Sequence, residues 1–275
     1  MADNDLIVIG GGTGGYMTAI RAAQLGAKVI LVEKEAMGGT CLNWGCIPTK
    51  ALLRSAELVS LAHKSKDYGV NVGEVSIDFT QMMARKDQVV NIHVTGVQSL
   101  MRSNGIEVIK GVATLTSPTQ VQVETDAGEK KTIEAKKIIL APGSVSATVP
   151  IPGIDGKGVI TSKEALQLAE TPQSMVVIGG GAIGVEFSTI FAELGASVTI
   201  VEMLPQIIPT EDADLAMFLQ DSLQKKGIEV LTGATVAAIE DGADGSKVVT
   251  VKTEAEEKKI QAQLVLVAVG RKPNT

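Results

Sequence analysis

The sequence lacks the features that mark a membrane, secreted or nucleic-acid-binding protein. No uninterrupted apolar run reaches the roughly 18 residues that a membrane-spanning helix requires. The formal net charge is −6 and no long run of Lys or Arg occurs, which argues against nucleic acid and anionic membranes as partners. The acidic start, MADND, matches neither a secretory signal nor an Arg-rich transit peptide. These absences predict a cytoplasmic protein with no nucleic-acid or membrane partner.

Cysteine is also scarce, because Cys41 and Cys46, both within GGTCLNWGCIPTK (38–50), are the only two. In a reducing compartment such a pair is more often metal-binding, catalytic or incidental than a structural bridge. A zinc site needs four ligands, and the two histidines, His63 and His93, lie far along predicted helices, so no metal is expected. A structural bridge that closes so short a loop would contribute little. A redox-active pair is therefore the favoured interpretation.

What the sequence does contain is an internal repeat. With 275 residues, 45% hydrophobic and 20% charged, the chain suits two globular domains. Residues 6–34 and 175–203 align without a gap at an offset of 169, each as strand, glycine turn, amphipathic helix, strand and acid. Residues 104–111 match 226–233 at an offset of only 122. The first copy thus carries an insertion of about 47 residues, which holds both cysteines and two predicted helices, at about 48–65 and 79–102.

The repeat also covers the segments that close each copy, 136–144 and 263–271. Before each of them, Thr- and Val-rich alternating runs broken by Asp-Gly turns predict a small antiparallel β-meander. A Pro- and Gly-rich stretch, 148–158, is the expected hinge. The predicted fold class is therefore α/β, with two Rossmann-like dinucleotide-binding domains, 1–148 and 149–275. Each domain is a parallel sheet with helices and a small meander.

Each copy has the pattern G-x-G-x-x-G directly after its first strand, and an acidic residue 23 positions after the first glycine. The glycines permit a tight turn, a close approach of the backbone to a pyrophosphate and close packing of helix on strand. The helix N-terminus favours the phosphates, and the acid can accept a hydrogen bond from a ribose hydroxyl. Because the pattern occurs twice, we expect two bound dinucleotides. The residues are Gly10, Gly12, Gly15 and Glu33 in the first copy and Gly179, Gly181, Gly184 and Glu202 in the second.

The second acid also predicts which nicotinamide cofactor binds. A site for NADP needs basic residues where Glu202 and Met203 stand, and the segment VEMLPQIIP contains no Arg or Lys. The carboxylate would repel a 2′-phosphate. The nicotinamide site is therefore predicted to be specific for NAD.

The cysteine segment must bend if the two sulfurs are to meet. In one regular helix the Cα atoms of Cys41 and Cys46 would lie roughly 8–9 Å apart and about 140° around the axis. A disulfide wants them about 4.4–6.8 Å apart. The neighbouring glycines, such as Gly45, supply the freedom to bend. With a helix starting near Pro48, Cys46 would lie at its N-terminus with Lys50 one turn on, and both would stabilise a thiolate.

Three segments, GGTCLNWGCIPTK, VVIGGGAIGVEF and VLVAVGRKPNT, resemble the flavin-dependent disulfide oxidoreductases, and among these most closely the dihydrolipoamide dehydrogenases. The resemblance runs along the whole chain. It implies oxidation of dihydrolipoamide, with electrons passing through a Cys41–Cys46 disulfide and FAD to NAD+. Cys46 would touch the flavin and Cys41 would exchange with the substrate. Lys50 would lie near the reactive flavin nitrogen, paired with Glu186.

The resemblance also implies which residues bind the two cofactors. FAD would contact Gly10, Gly12, Gly14, Gly15, Glu33, Lys34, Gly39, Thr40, Lys50, Ala113, Gly143 and Ser144. NAD would contact Gly179, Gly181, Ala182, Ile183, Gly184, Glu202, Val236 and Gly270.

Partners and completeness follow from the same resemblance. It implies dihydrolipoyl groups of 2-oxoacid dehydrogenase or glycine-cleavage complexes as partners, and a homodimer for the full-length protein. Family members continue beyond the equivalent of Thr275 with the rest of the FAD domain and a dimerisation domain that carries a His-Glu acid/base pair. We therefore expect a truncated chain that lacks both and exchanges thiols poorly. Two alternatives stay open: another disulfide reductase of the same architecture, similar to glutathione or mercuric reductase, and a catalytically silent nucleotide-binding module.

Overall fold

A computed structural model describes residues 3–274, which divide into two compact units. Among these residues the first unit consists of 3–48, 87–145 and 273–274, and the second of 49–86 and 146–272. The division after residue 145 lies close to the expected domain boundary, but the helical segment 49–86 groups with the second unit. Assignment of FAD and NAD to the two domains stays a prediction. No helix within 3–274 is both long and apolar enough to cross a membrane.

Within the described part of the first copy and its insertion, residues 3–148, the chain forms seven strands and four α-helices. Both predicted helices of the insertion are present, and the first of them begins two residues before its predicted start. In chain order the elements are β1 (Asn4–Ile9), α1 (Thr13–Gln24), β2 (Val29–Glu33), α2 (Gly39–Trp44), α3 (Cys46–Lys64), a 3-10 helix (Ser65–Tyr68), α4 (Phe79–Ser103), β3 (Glu107–Lys110), β4 (Val112–Ser117), β5 (Gln120–Glu124), β6 (Lys130–Leu140) and β7 (Ser144–Ser146).

The sheet of the first unit has six strands in the order β3-β2-β1-β6-β5-β4. Strand β6 belongs to both of its parts: residues 135–140 pair in parallel with β1, and residues 130–134 pair antiparallel with β5. Side chains alternate between the two faces of β1. Leu6 and Val8 lie in a core with residues of α1 and α4, whereas Ile7 lies in a core with residues of the meander.

The second copy separates these two parts. Its elements are β8 (Val159–Thr161), α5 (Ser162–Ala165), β9 (Ser174–Ile178), α6 (Ala182–Glu193), β10 (Ser197–Val201), α7 (Ala213–Lys225), β11 (Glu229–Leu231), β12 (Thr235–Asp241), β13 (Lys247–Lys252), β14 (Glu257–Ala262), β15 (Leu264–Val267) and β16 (Arg271–Pro273). The parallel sheet has the order β11-β10-β9-β15-β8, and the meander is a distinct antiparallel sheet, β12-β13-β14. The predicted α/β class with parallel sheets and small meanders is confirmed.

Candidate functional site

The first glycine turn joins β1 to α1. Gly10 has a φ of +105°, and a Cβ there would lie 2.1 Å from the carbonyl oxygen of Ala141. A Cβ on Gly15 would lie 1.8 Å from the carbonyl oxygen of Gly10. The turn therefore closes only with glycine at both positions. Gly12 is the N-cap of α1, and a Cβ on Gly14 would meet nothing within 4 Å. This open space at a helix N-terminus fits a dinucleotide pyrophosphate.

The second glycine turn, between β9 and α6, has nearly the same geometry. Gly179 has a φ of +107°, and a Cβ on Gly184 would lie 2.0 Å from the carbonyl oxygen of Gly179. The N-cap of α6 is Gly181, with φ −72° and ψ −179° against −71° and −177° at Gly12. A Cβ on Gly181 would meet nothing within 4 Å, whereas a Cβ on Gly12 would lie 3.7 Å from the Cα of Gly39. The first turn of α6, with Ala182 and Ile183, therefore also fits a pyrophosphate.

The acid of the first copy is bound to backbone N–H groups beside the turn. Oε2 of Glu33 accepts from the N–H of Gly11 at 2.6 Å, and Oε1 accepts from the N–H of Glu35 at 2.7 Å. Glu33 is half-buried, whereas Lys34 is exposed. Each carboxylate oxygen keeps a second lone-pair site, so Glu33 can still accept a ribose hydroxyl.

The acid of the second copy has the same two contacts and is more deeply buried. Oε2 of Glu202 accepts from the N–H of Gly180 at 2.6 Å, and Oε1 accepts from the N–H of Leu204 at 2.8 Å. Glu202 is 7% exposed, whereas Met203 and Leu204 are exposed. A 2′-phosphate here would meet a buried carboxylate flanked by apolar side chains, which suits NAD better than NADP.

Two further predicted FAD contacts lie next to the first glycine turn. Gly12 and Gly38 form an isolated parallel β-bridge, and a Cβ on Gly39 would lie 2.6 Å from the Cα of Gly12. The backbone of Gly39 therefore packs directly on the turn. Thr40 follows it as the second residue of α2.

The remaining predicted FAD contacts of the first unit occupy two segments near the same end of the sheet. The N–H of Gly111 bonds the carbonyl oxygen of Glu33 at 3.0 Å, which brings the start of β4, with Ala113, beside the acid. Gly143 follows the end of β6, next to Ala141, and Ser144 begins β7.

The second unit repeats this placement. The N–H of Ala234 bonds the carbonyl oxygen of Glu202 at 3.0 Å, and Val236 lies two residues further along, in β12. A Cβ on Gly179 would lie 2.5 Å from the carbonyl oxygen of Ala268, so the backbone at Ala268 packs directly on the glycine turn. Gly270 lies two residues further along the chain. The structure thus gathers the predicted NAD residues at one end of one sheet.

The cysteines lie on either side of a break between two helices. Cys41 is half-buried in α2, and Cys46 is exposed as the first residue of α3. Gly45 separates the helices, and a Cβ there would lie 2.8 Å from the carbonyl oxygen of Thr40. The predicted bend is present, with Cys46 at a helix N-terminus. The Cys41–Cys46 disulfide stays a prediction.

The start of α2 is stabilised by a side chain that lies between the two cysteines. Nδ2 of Asn43 donates to the carbonyl oxygens of Met37 and Gly39 at 3.0 and 2.9 Å. These bonds tie α2 to the segment that packs on the first glycine turn. The cysteine-bearing helix is thereby fixed relative to that turn within the first unit.

In the second unit, Lys50 forms an ion pair with Glu186. Its Nζ lies 2.6 Å from Oε1 of Glu186, and the two side chains are 60% and 28% exposed. An ion pair as exposed as this one contributes little to stability. Its effect is to restrict where the ammonium group lies.

No cluster of three or more potential metal ligands occurs among residues 3–274. His63 and His93 are exposed on α3 and α4, as expected for plain helix residues. Two functional residues were not predicted from the sequence: Gly11 and Gly180, whose N–H groups bind the two acids. Both occupy the variable position of G-x-G, and the repeated Gly-Gly-Gly triplet could have pointed to them.

Comparison with known proteins gave consistent matches along the chain. Residues 4–275 match the family model described as pyridine nucleotide-disulphide oxidoreductase. Dihydrolipoyl dehydrogenases from Chlorobaculum parvum and Bacillus subtilis are 44% and 42% identical over 98% of this chain. A Cu(II) complex of the HOCl-induced flavoprotein disulfide reductase RclA from Escherichia coli is similar over 100% of this chain, with a TM-score of 0.83 and 31% identity. The chain spans 57–58% of the length of these three proteins.

Proposed function

Because the chain belongs to the pyridine nucleotide-disulphide oxidoreductase family, we propose that it is the nucleotide-binding portion of a flavoprotein that oxidises dihydrolipoamide to lipoamide and reduces NAD+. The observation that carries the proposal is the placement of Cys41 and Cys46 on either side of the Gly45 break, in the unit that holds the first glycine turn. Relatives that are 42–44% identical are named dihydrolipoyl dehydrogenases, which supports dihydrolipoamide as the substrate.

Members of this family use FAD and NAD(H). We assign FAD to the first copy, where Glu33 would hold its adenosine ribose and the Gly10–Gly15 turn its pyrophosphate. We assign NAD to the second copy, where Glu202 and the Gly179–Gly184 turn have the same roles. The buried carboxylate of Glu202 supports the choice of NAD over NADP.

The cysteines would perform the thiol exchange. A substrate thiolate attacks Sγ of Cys41, the Cys41–Cys46 bond breaks, and Cys46 leaves as a thiolate. The second substrate sulfur then attacks the first, which closes the lipoamide disulfide and releases Cys41 as a thiolate. Two electrons pass to the cysteine pair, and two protons leave the substrate. The chemistry that bound FAD and NAD+ supply is acceptance of this electron pair, carried finally as a hydride.

Lys50 and Glu186 would serve the electrostatics of this transfer. The ammonium group of Lys50 would lie near the flavin nitrogen and favour negative charge there. Its ion pair with Glu186 supports this role, since it holds a long and otherwise mobile side chain in one orientation.

The proposal extends to partners and location. The substrate would be the dihydrolipoyl group of a 2-oxoacid dehydrogenase or glycine-cleavage complex, the full-length protein would be a homodimer, and its location would be the cytoplasm. The names of the curated relatives support the lipoyl-bearing partner.

The first experiment asks whether the chain binds flavin. Purified protein is expected to be yellow and to release FAD on denaturation. After reduction with dithionite and partial reoxidation, it is expected to have the long-wavelength absorption band of a thiolate beside oxidised flavin. The band should be absent from Cys46→Ser and present in Cys41→Ser. Colourless protein would favour a silent nucleotide-binding module, and a band that survives Cys46→Ser would contradict the assigned role of Cys46.

The second experiment identifies the substrate. The oxidised cysteine pair is mixed with dihydrolipoamide or with reduced glutathione, and NAD+ and NADP+ binding are measured in parallel by calorimetry. We expect faster stoichiometric reduction by dihydrolipoamide and a preference for NAD+. Preferential reaction with glutathione would indicate the alternative reductase, and tighter binding of NADP+ would contradict the role given to Glu202.

A further inference from the structure

The middle glycine of each glycine turn is held at both its N–H and its carbonyl oxygen. Its N–H donates to the acid, and its carbonyl oxygen accepts from a residue with a positive φ. In the first copy the carbonyl oxygen of Gly11 accepts from the N–H of Gly38 at 2.8 Å, and φ of Gly38 is +90°. In the second copy that of Gly180 accepts from the N–H of Ile208 at 2.8 Å, and φ of Ile208 is +44°.

The residue before each donor covers the same glycine. A Cβ on Gly11 would lie 2.8 Å from Sδ of Met37, and a Cβ on Gly180 would lie 2.8 Å from Cγ2 of Ile207. Met37 and Ile207 are both buried. The two copies therefore use one arrangement, although the donor follows the acid by five residues in the first copy and by six in the second.

The copies differ in the residue that adopts the positive φ. Gly38 does so without a side chain to clash, whereas Ile208 is β-branched, and β-branched residues are genuine outliers in this region. Ile208 is the only residue other than glycine with a positive φ among residues 3–274. Its side chain is half-buried, so core packing of that side chain does not explain the strain. Strained backbone of this kind is concentrated at ligand sites.

The contacts that maintain this conformation point to the ribose-binding acid. Gly180 accepts from the N–H of Ile208 with its carbonyl oxygen and donates its own N–H to Oε2 of Glu202, through two adjacent peptide groups that its Cα joins. A bond at the carbonyl oxygen restricts where Gly180 can move, and it thereby restricts where the N–H donor lies. We propose that Ile208 is a positioning residue that aims Glu202 at the ribose of NAD through the backbone of Gly180. This inference rests on the proposed NAD site.

Two substitutions at one position separate backbone from side chain. Ile208→Pro removes the N–H and cannot adopt a positive φ, so Glu202 is no longer held in place for the ribose and NAD+ affinity is expected to fall about tenfold, the size of one hydrogen bond between ribose and acid. Ile208→Gly keeps the N–H and adopts this φ without strain, so affinity should stay within about threefold. Gln206→Ala is the matched control, because Gln206 bonds the carbonyl oxygen of Glu211 in the same loop and does not bond Gly180. Calorimetry measures all three against the unsubstituted chain.

Amide hydrogen exchange of Gly180 tests the same inference without NAD+. Its protection is expected to fall about tenfold in Ile208→Pro and to persist in Ile208→Gly and Gln206→Ala. Unchanged protection in Ile208→Pro, or an equal loss in Gln206→Ala, would overturn the positioning role. If Ile208→Pro does not fold, a loss of NAD+ affinity well beyond threefold in Ile208→Gly would overturn it by showing that the side chain acts. Failure of the unsubstituted chain to bind NAD+ would contradict the proposed function instead, and Gly180 exchange would still decide the positioning role.

Discussion

The two copies of the repeat agree closely at the glycine turn and differ in what surrounds it. The N-cap glycines, Gly12 and Gly181, have backbone angles within 2° of each other, and both acids accept from the middle glycine at 2.6 Å. The third glycines, Gly15 and Gly184, are fixed in the same way, because a Cβ on either would lie 2.0 Å or less from a carbonyl oxygen. Contacts this short permit no other residue, so the turn has one solution.

The helices behind the turns are packed differently. In α6, Phe187 and Phe191 are fully buried, with ring centroids 6.2 Å apart. The offset of 169 places Thr18 and Ala22 at the corresponding positions of α1, where both are half-buried. The helix of the second copy therefore contributes large side chains to its core, whereas the helix of the first copy contributes mainly small ones.

The sheets also differ, since β6 is one strand of eleven residues while the second copy divides the same course between β14 and β15. Burial of apolar side chains can be achieved in many ways, because volume and pattern matter more than any one contact. The comparison teaches that the glycine turn is constrained at each residue, whereas the side chains that pack behind it are constrained only in their total volume and pattern.

The largest expected effect concerns the helices. Phe191→Ala should lower the free energy of unfolding of the second unit by about 3–5 kcal/mol, because it opens a cavity among fully buried side chains. Ala22→Gly, at the corresponding position of α1, should cost the first unit only about 1 kcal/mol in helix propensity. Amide exchange reports on each unit, and fluorescence of the single tryptophan, Trp44, follows the first. Equal losses would contradict the difference in packing.

How much of this was predictable from sequence depends on the range of the interaction. The turns, the acids and the insertion helices follow local patterns, so their positions could be predicted. The contact of Ile208 with Gly180 could not, because its donor lies one residue further from the acid than Gly38 does and a gapless alignment hides the match. The short helix α2 was also missed, since its six residues begin with glycine and lie between Gly38 and Gly45, which gives the segment weak helix propensity.

A second substitution pair probes the turn itself. Gly15→Ala and Gly184→Ala should each destabilise their own unit by about 2–3 kcal/mol, because the added Cβ overlaps a backbone carbonyl. Each should abolish binding of its own nucleotide and leave the other intact, as measured by flavin content and NAD+ calorimetry. Gly96→Ala is the control, since a Cβ in the middle of α4 would meet nothing within 4 Å and should stabilise the chain by about 0.5–1 kcal/mol. If either variant lost both nucleotides, the expectation that the two turns bind their nucleotides independently would be contradicted.

A third pair compares the acids. Glu202→Gln should cost about 2 kcal/mol and Glu33→Gln about 1 kcal/mol, because each places an amide N–H₂ against a backbone N–H donor, and Glu202 is the more buried. NAD+ affinity should fall only in the first variant and flavin content only in the second. Unfolding in urea and the two binding measurements test both points, and a larger cost for Glu33→Gln would contradict the difference in burial.

The smallest expected effect lies at equivalent edge positions of the two sheets, Glu229 and Glu107. The hydrogen bond from Lys258, at 2.7 Å, lowers the pKa of Glu229 below its ordinary value of 4.5, against a raising effect of burial and with help from Thr199. In the first copy Lys131 lies 3.4 Å from Glu107, and both side chains are 55% exposed. The second copy therefore holds its edge carboxylate more firmly.

A lowered folded-state pKa stabilises the protein at pH values above the unfolded value, and this stability is lost as the pH falls through the folded one. Glu229→Gln should therefore cost about 0.5 kcal/mol at pH 7, a value reduced because the side chain is 48% exposed, and nothing near pH 2–3. Glu107→Gln should cost about 0.2 kcal/mol or less at either pH. Urea unfolding at both pH values measures the difference. If the two variants showed equal pH dependence, the shorter ion pair of Glu229 would contribute no more to stability than the longer one of Glu107.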